Sequence, residues 1–201
     1  RGVNVALNLA LDLDLALRRQ VAVDDEIGLS GNVPVIGTGR TGDMLTAASL
    51  MAISAHAIEL DDGNREGSFH PGAVVVPAVA AAAWHLASSG EDVLSAVIAG
   101  YEVAGQIARA LHPHATKRGF QNTPVAGVVG AAAAAGRLLH LDPARMEQAL
   151  GAAASASGGT FAYLAGGGTI KKFHPAHAAR EGLLDAFMVA RGAATGPLGV
   201  I

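Results

Sequence analysis

Two stretches, Ala73 to Trp84 and Pro124 to Gly136, consist mainly of alanine, valine and glycine. They confine the chain to architectures in which backbones approach closely. Hydrophobic residues make up 51% of the 201 residues but aromatics only 4%, so the interior is packed by Ala, Val, Leu and Gly. Close helix–helix contacts suit that inventory. Both stretches fall short of the roughly 20 apolar residues that a membrane-spanning helix needs, and no span is expected. The length allows one sizeable domain with one core.

Punctuation along the chain sets the expected elements. Gly28 to Gly42, with Gly31, Pro34, Gly37 and Gly39, reads as loop and turn. A helix is expected from about Asp43 to Leu60, and a second from Pro71 to about Ser88 that tolerates Pro77 early in its length. Ser89 with Asp92 three positions later resembles a capping box that opens a helix to about Leu111. His112 to Asn122 is polar and basic, and is expected to be loop. Thr123-Pro124 has the form of an N-cap followed by proline at the first helical position, with the helix reaching about Leu139. Asp142-Pro143 repeats that signal, with a stop near Gly151. Ser155 to Gly168 reads as flexible, and a last helix is expected from about Ala176 to Arg191. The even alternation from Val5 to Leu17 suits strand or helix equally, which leaves residues 1–32 an N-terminal segment without an assigned structure. The fold class is all-α, with the polar groups on the connecting loops.

Charge is scarce, at 15% of residues, and unevenly placed. Residues 1–100 hold twelve acids, five arginines and no lysine, whereas residues 101–201 hold nine basic residues and five acids. A net charge of −3 without a basic run argues against a nucleic-acid partner. Cysteine is absent, which removes disulfides and thiolate chemistry and is compatible with a reducing cytoplasm. The first twenty residues do not match a signal peptide.

The segment His56 to Gly72 places two histidines and four acids between apolar stretches. Acids at a helix C-terminus oppose the helix dipole, so Glu59, Asp61 and Asp62 need another reason to be there. Asp61, Asp62, Glu66 and His70 include ligand types for a divalent cation, but neither EF-hand spacing nor a paired-His zinc motif is present. A solvated acidic loop is the plainer reading of the same residues. In a catalytic loop, His70 could titrate near neutrality beside carboxylates that orient it. Lys171 and Lys172, between a glycine run and His174, could be a solvated turn or a mobile cationic segment that grips carboxylates. Where these loops converge, an anionic small molecule could bind and lose a proton next to a carboxylate. No nucleotide-binding glycine pattern occurs.

In order along the chain, His56-Ala-Ile-Glu-Leu-Asp-Asp62, His70-Pro-Gly-Ala-Val-Val-Val-Pro77, Ala99-Gly-Tyr-Glu-Val103, Gly130-Ala-Ala-Ala-Ala-Ala135 and Lys171-Lys-Phe-His-Pro175 resemble the MmgE/PrpD family. That family includes 2-methylcitrate dehydratase, cis-aconitate decarboxylase and iminodisuccinate epimerase. The resemblance covers about residues 33–199, and residues 33–201 are expected to form part of the family's helical domain, with the lid domain absent from this chain. It implies a cofactor-free, metal-free lyase, most simply a dehydratase, acting on a di- or tricarboxylate such as 2-methylcitrate. An epimerase or decarboxylase of the same fold, or a truncated non-catalytic helical interaction module, are the alternatives. Glu59, His70 and Lys171 are implied as catalytic, with Asp61, Asp62, Gln121, Lys172 and His174 as substrate-binding or supporting residues. Gln121 stands where many members carry a histidine in a Gly-Phe-His pattern, and glutamine cannot act as acid or base near neutrality. A cytoplasmic homodimer is the implied assembly, with a separate lid chain as a further partner to test.

Overall fold

The computed structural model describes residues 30–199 together with Arg18, Ala22 and Val23; the alternating stretch from Val5 to Leu17 lies outside them. Among the described residues the chain forms eight α-helices and one small hairpin. Strands β1 (Val33–Val35) and β2 (Arg40–Gly42) pair antiparallel, with Val33 opposite Gly42. The expected loop at Gly28 to Gly42 therefore contains a hairpin, turned through Gly37 and Gly39, which both adopt the positive φ that glycine permits.

Helix α1 (Met44–His56) begins at Asp43, whose carboxylate accepts hydrogen bonds from the amides of Leu45 and Thr46 at 2.9 and 3.1 Å. Helix α2 spans Gly72–Leu86, with Pro77 inside it. Ala87, in the left-handed conformation, closes α2, and Ser89 opens α3 (Gly90–Leu111) by accepting from the Asp92 amide at 3.1 Å. The segment from His112 contains a short helix, α4 (His114–Lys117), where loop was expected. Helix α5 (Asn122–Leu138) is followed by α6 (Pro143–Ser155), capped by Asp142 as expected but running past Gly151. A five-residue helix, α7 (Ala162–Gly166), lies in the stretch expected to be flexible. A single 3-10 turn, Ile170–Phe173, then leads into α8 (His174–Ala190).

Helix α5 is the centre of the molecule. All but two of its 17 residues are buried, as a helix that is apolar all round requires, and it packs against α2, α3, α6 and α8. Its glycines allow this crowding. A Cβ on Gly130 would lie 2.7 Å from the Ala104 methyl and 2.8 Å from the Gly100 carbonyl oxygen, and a Cβ on Gly100 would lie 2.9 Å from the Gly130 carbonyl oxygen. The small-residue inventory thus becomes backbone-to-backbone contact between α3 and α5. None of the described helices is long and apolar enough to cross a membrane.

One expectation is corrected at the end of α1. The helix stops at His56 and does not carry Glu59 to its terminus. Glu59 takes the left-handed conformation at φ 55°, and the chain turns back so that Asp61 meets the His56 side chain. The acids follow the helix rather than continue it, and Asp61 is paired with its last residue.

Candidate active site

The chain between α1 and α2 is fastened from several directions. The carboxylate of Asp62 accepts from the Gly72 amide at 2.9 Å, at the first turn of α2, where helical N–H groups lack intrahelical partners. A side chain at position 72 has no room, because its Cβ would lie 2.6 Å from both Asp62 Oδ1 and the Tyr101 hydroxyl. Burial, then the nearby Asp62 charge, push the Tyr101 phenol well above its ordinary range, so it remains a neutral O–H. From α5, Asn122 donates through Nδ2 to the Gly67 carbonyl at 2.7 Å, and Thr123 Oγ1 accepts from the His70 amide at 3.1 Å. Thr123 is therefore no N-cap: the cap position is Gln121, without a side-chain bond. The hydroxyl that would cap α5 holds the His70 loop instead.

His70 Nδ1 lies 2.8 Å from the Asp62 carbonyl oxygen. A carbonyl only accepts, so Nδ1 carries the proton and, in the neutral ring, Nε2 is the basic nitrogen. The same Nδ1 is 3.3 Å from Asp61 Oδ2. Asp61 Oδ2 is also 2.7 Å from Nδ1 of His56, a side chain with no solvent exposure. The two imidazoles meet edge to face at 4.9 Å. His56, Asp61 and His70 are a trio of metal-ligand types whose ligand atoms lie within 4.8 Å of one another, and Asp61 Oδ2 is already hydrogen-bonded to His56 Nδ1. Glu66, the fourth candidate ligand in the sequence, lies instead 3.9 Å from Arg109 in an exposed pair.

On the other side, Lys171 Nζ pairs with Glu59 Oε1 at 2.5 Å. Gln121 is buried, and its Oε1 is 2.5 Å from Nδ1 of His174, itself only 6% exposed. His174 stands behind Gln121 as its support. Burial, followed by repulsion from His177, lowers the His174 pKa below 6.5. The backbone amides of Gln121 and Phe161 donate hydrogen bonds to the Gly159 and Gly119 carbonyls, at 3.1 and 2.8 Å, and join the segment before α5 to the one before α7.

These loops surround a cleft of about 540 Å³ lined by His70, Lys171, Gln121, Tyr163, Arg65 and Thr123, among others. His70, Gln121 and Lys171 thus converge as the sequence leads one to expect. Glu59 stands beside Lys171; Asp61 and Asp62 stand behind His70. Lys172 and His174 are not among the lining residues. Three contributors escaped the sequence reading. Arg65 adds a second cation. Tyr163 lines the cleft, and burial and then the Glu59 charge raise its pKa. His56 falls inside the helix expected to run to Leu60, and the acid five positions on is the sequence signal that could have singled it out.

A loop histidine and a lysine thus line one cleft beside a bundle of small-residue helices. Residues 15–201 match the model of the MmgE/PrpD N-terminal domain, and the chain belongs to the MmgE/PrpD family. It is 35% identical over 176 residues to the cis-aconitate decarboxylase-like protein oryM of Aspergillus oryzae, covering 84% of this chain and 36% of that protein. It is 34% identical over 168 residues to cis-aconitate decarboxylase of Aspergillus terreus (81% and 34%). To the Homo sapiens cis-aconitate decarboxylase it is 31% identical over 151 residues (73% and 31%). The chain spans about a third of the length of these relatives.

Proposed function

We propose that this domain belongs to a cofactor-free lyase that acts on a di- or tricarboxylate by proton transfer at a carbon next to a carboxylate. The observation that carries the reading is that His70, with Nδ1–H held by the Asp62 carbonyl, and the cation Lys171 line the same cleft. Nε2 of His70 takes the proton; Lys171 and Arg65 neutralise substrate carboxylates and the negative charge that develops beside them. Glu59 sets the position of Lys171. Gln121, supported by His174, offers an amide to a carboxylate, and Lys172 adds positive charge behind Lys171. The family resemblance adds a cytoplasmic homodimer in which a lid domain completes the cleft.

Loss of water is the reaction we favour, because removal of a proton next to a carboxylate sets up departure of a hydroxyl from the neighbouring carbon, with the Lys171 ammonium as the group that protonates it. Loss of carbon dioxide is the second reading, supported by the names of the relatives. The full-length protein, incubated with 2-methylcitrate and with cis-aconitate and followed by NMR in deuterated water, separates them: dehydration yields an unsaturated tricarboxylate, decarboxylation an unsaturated product one carboxylate shorter. An epimerase would leave all heavy atoms in place while exchanging deuterium. Replacing His70 or Lys171 singly lowers turnover about 10²-fold or more; near-normal activity in both variants would sink the assignment.

A further inference from the structure

We propose that His56 is a positioning residue for proton transfer at this site, acting from the protein interior through Asp61. The inference rests on the reading of His70 as the base. His56 has no exposed surface, and its Nε2 is buried without a hydrogen-bond partner. A proton on Nε2 would leave a buried N–H unsatisfied, which is costly. A proton on Nδ1 has an acceptor 2.7 Å away in Asp61 Oδ2. His56 is therefore the neutral Nδ1–H tautomer, a fixed donor, and Asp61 is the ionised acceptor.

Asp61 needs that donor. Its side chain is 6% exposed, its Oδ1 has no partner, and Oδ2 faces His70 Nδ1 at 3.3 Å. Without His56 the carboxylate would be left buried with one long contact, free to rotate away or to take up a proton. With His56 in place, its charge stays directed at His70. When Nε2 of His70 accepts a proton from the substrate carbon, the C–H bond breaks, an N–H bond forms, and the electron pair remains on the substrate beside its carboxylate. The imidazolium keeps its Nδ1–H, shared between the Asp62 carbonyl and Asp61 Oδ2. No proton passes to Asp61 or His56; the chain stabilises charge and relays nothing.

Two substitutions separate this role from plain packing. His56→Asn keeps an N–H donor near the place of Nδ1, whereas His56→Leu fills the space without one. In the full-length protein, His56→Leu is expected to lower kcat about 10- to 100-fold, the range spanned by a hydrogen bond to an ionised group, with KM little changed; His56→Asn recovers most of the loss. Wild-type kcat in a folded His56→Leu protein overturns the proposal. A second measurement stands apart from activity and from any folding defect: imidazole ¹⁵N–¹H correlation of histidine-labelled wild-type protein. It is expected to show His56 protonated at Nδ1 and bare at Nε2. Protonation at Nε2 alone, or a stoichiometric metal ion bound by the trio, overturns the proposal whether or not the protein is a lyase. If the tautomer is as expected and no lyase activity is found, the role of His70 fails rather than the His56–Asp61 pairing.

Discussion

Lys171 and Glu59 form an ion pair at 2.5 Å across 112 positions of sequence. Both side chains are partly open to solvent, at 33% and 44%, and pairs of that kind contribute about 1 kcal/mol or less to stability. Lys171→Met is therefore expected to change the unfolding free energy by no more than about 1 kcal/mol while turnover falls by about 10². Urea unfolding and steady-state kinetics on the same preparation test the contrast. A large stability loss with activity preserved would make the pair a structural clamp.

At Gly72 the expected effect is on both properties. A methyl group there meets Asp62 Oδ1 and the Tyr101 hydroxyl at 2.6 Å, so Gly72→Ala should displace Asp62 from the start of α2. The cost is about 1–3 kcal/mol, as for other overpacked sites, and the carbonyl that holds His70 Nδ1 moves with it. Thermal unfolding measures the first effect. The second should appear in kcat, and Tyr101→Phe, which adds no atoms, should be milder in both.

Gln121 is the inner wall of the cleft, and its Oε1 is the acceptor for the buried Nδ1–H of His174. Gln121→Leu leaves that donor unsatisfied, at a cost of about 1–3 kcal/mol. It is also expected to raise KM more than it lowers kcat, since an amide that grips a carboxylate serves ground and transition states alike. A fall in kcat alone would show that Gln121 acts in the chemical step.

One contribution to the pH dependence of stability follows from His174. Its folded pKa lies below the ordinary 6.5 because burial disfavours the charged ring. Between the two values the unfolded chain binds more protons than the folded one, so stability rises with pH there. The contribution is fully present above 6.5 and is lost as pH falls through the lower folded value. The urea midpoint should drop on acidification below 6.5, and His174→Asn, which keeps a donor toward Gln121, should flatten that slope. An unchanged slope would move its origin to other groups.

Helix starts were legible wherever a side chain served only its own helix. Ser89 and Asp142 cap as their spacing suggests. Thr123 misled because its hydroxyl is committed to the amide of His70, 53 positions away, and local sequence carries no trace of that demand. Glu59 misled for a related reason: an apolar run specifies a buried helix but not where a carboxylate further on will pull the chain out of it. The convergence of His70, Gln121 and Lys171 was readable because each stands in a polar segment between apolar helices. Tyr163 was not, since its place in the cleft depends on backbone pairing between Phe120 and Thr160, a contact between two irregular segments.

The unequal fastening of the two sides of the cleft bears on how a ligand would be held. The His70 side is tied down by Asn122, Thr123 and Gly72, so little further backbone freedom is lost there on binding. The Lys171 side follows Gly167 and Gly168, both at positive φ with open space around them. The entropy of capture would fall mainly on that segment, and rigidifying substitutions there should tighten binding and slow release, while the same changes around His70 would leave both nearly as they are.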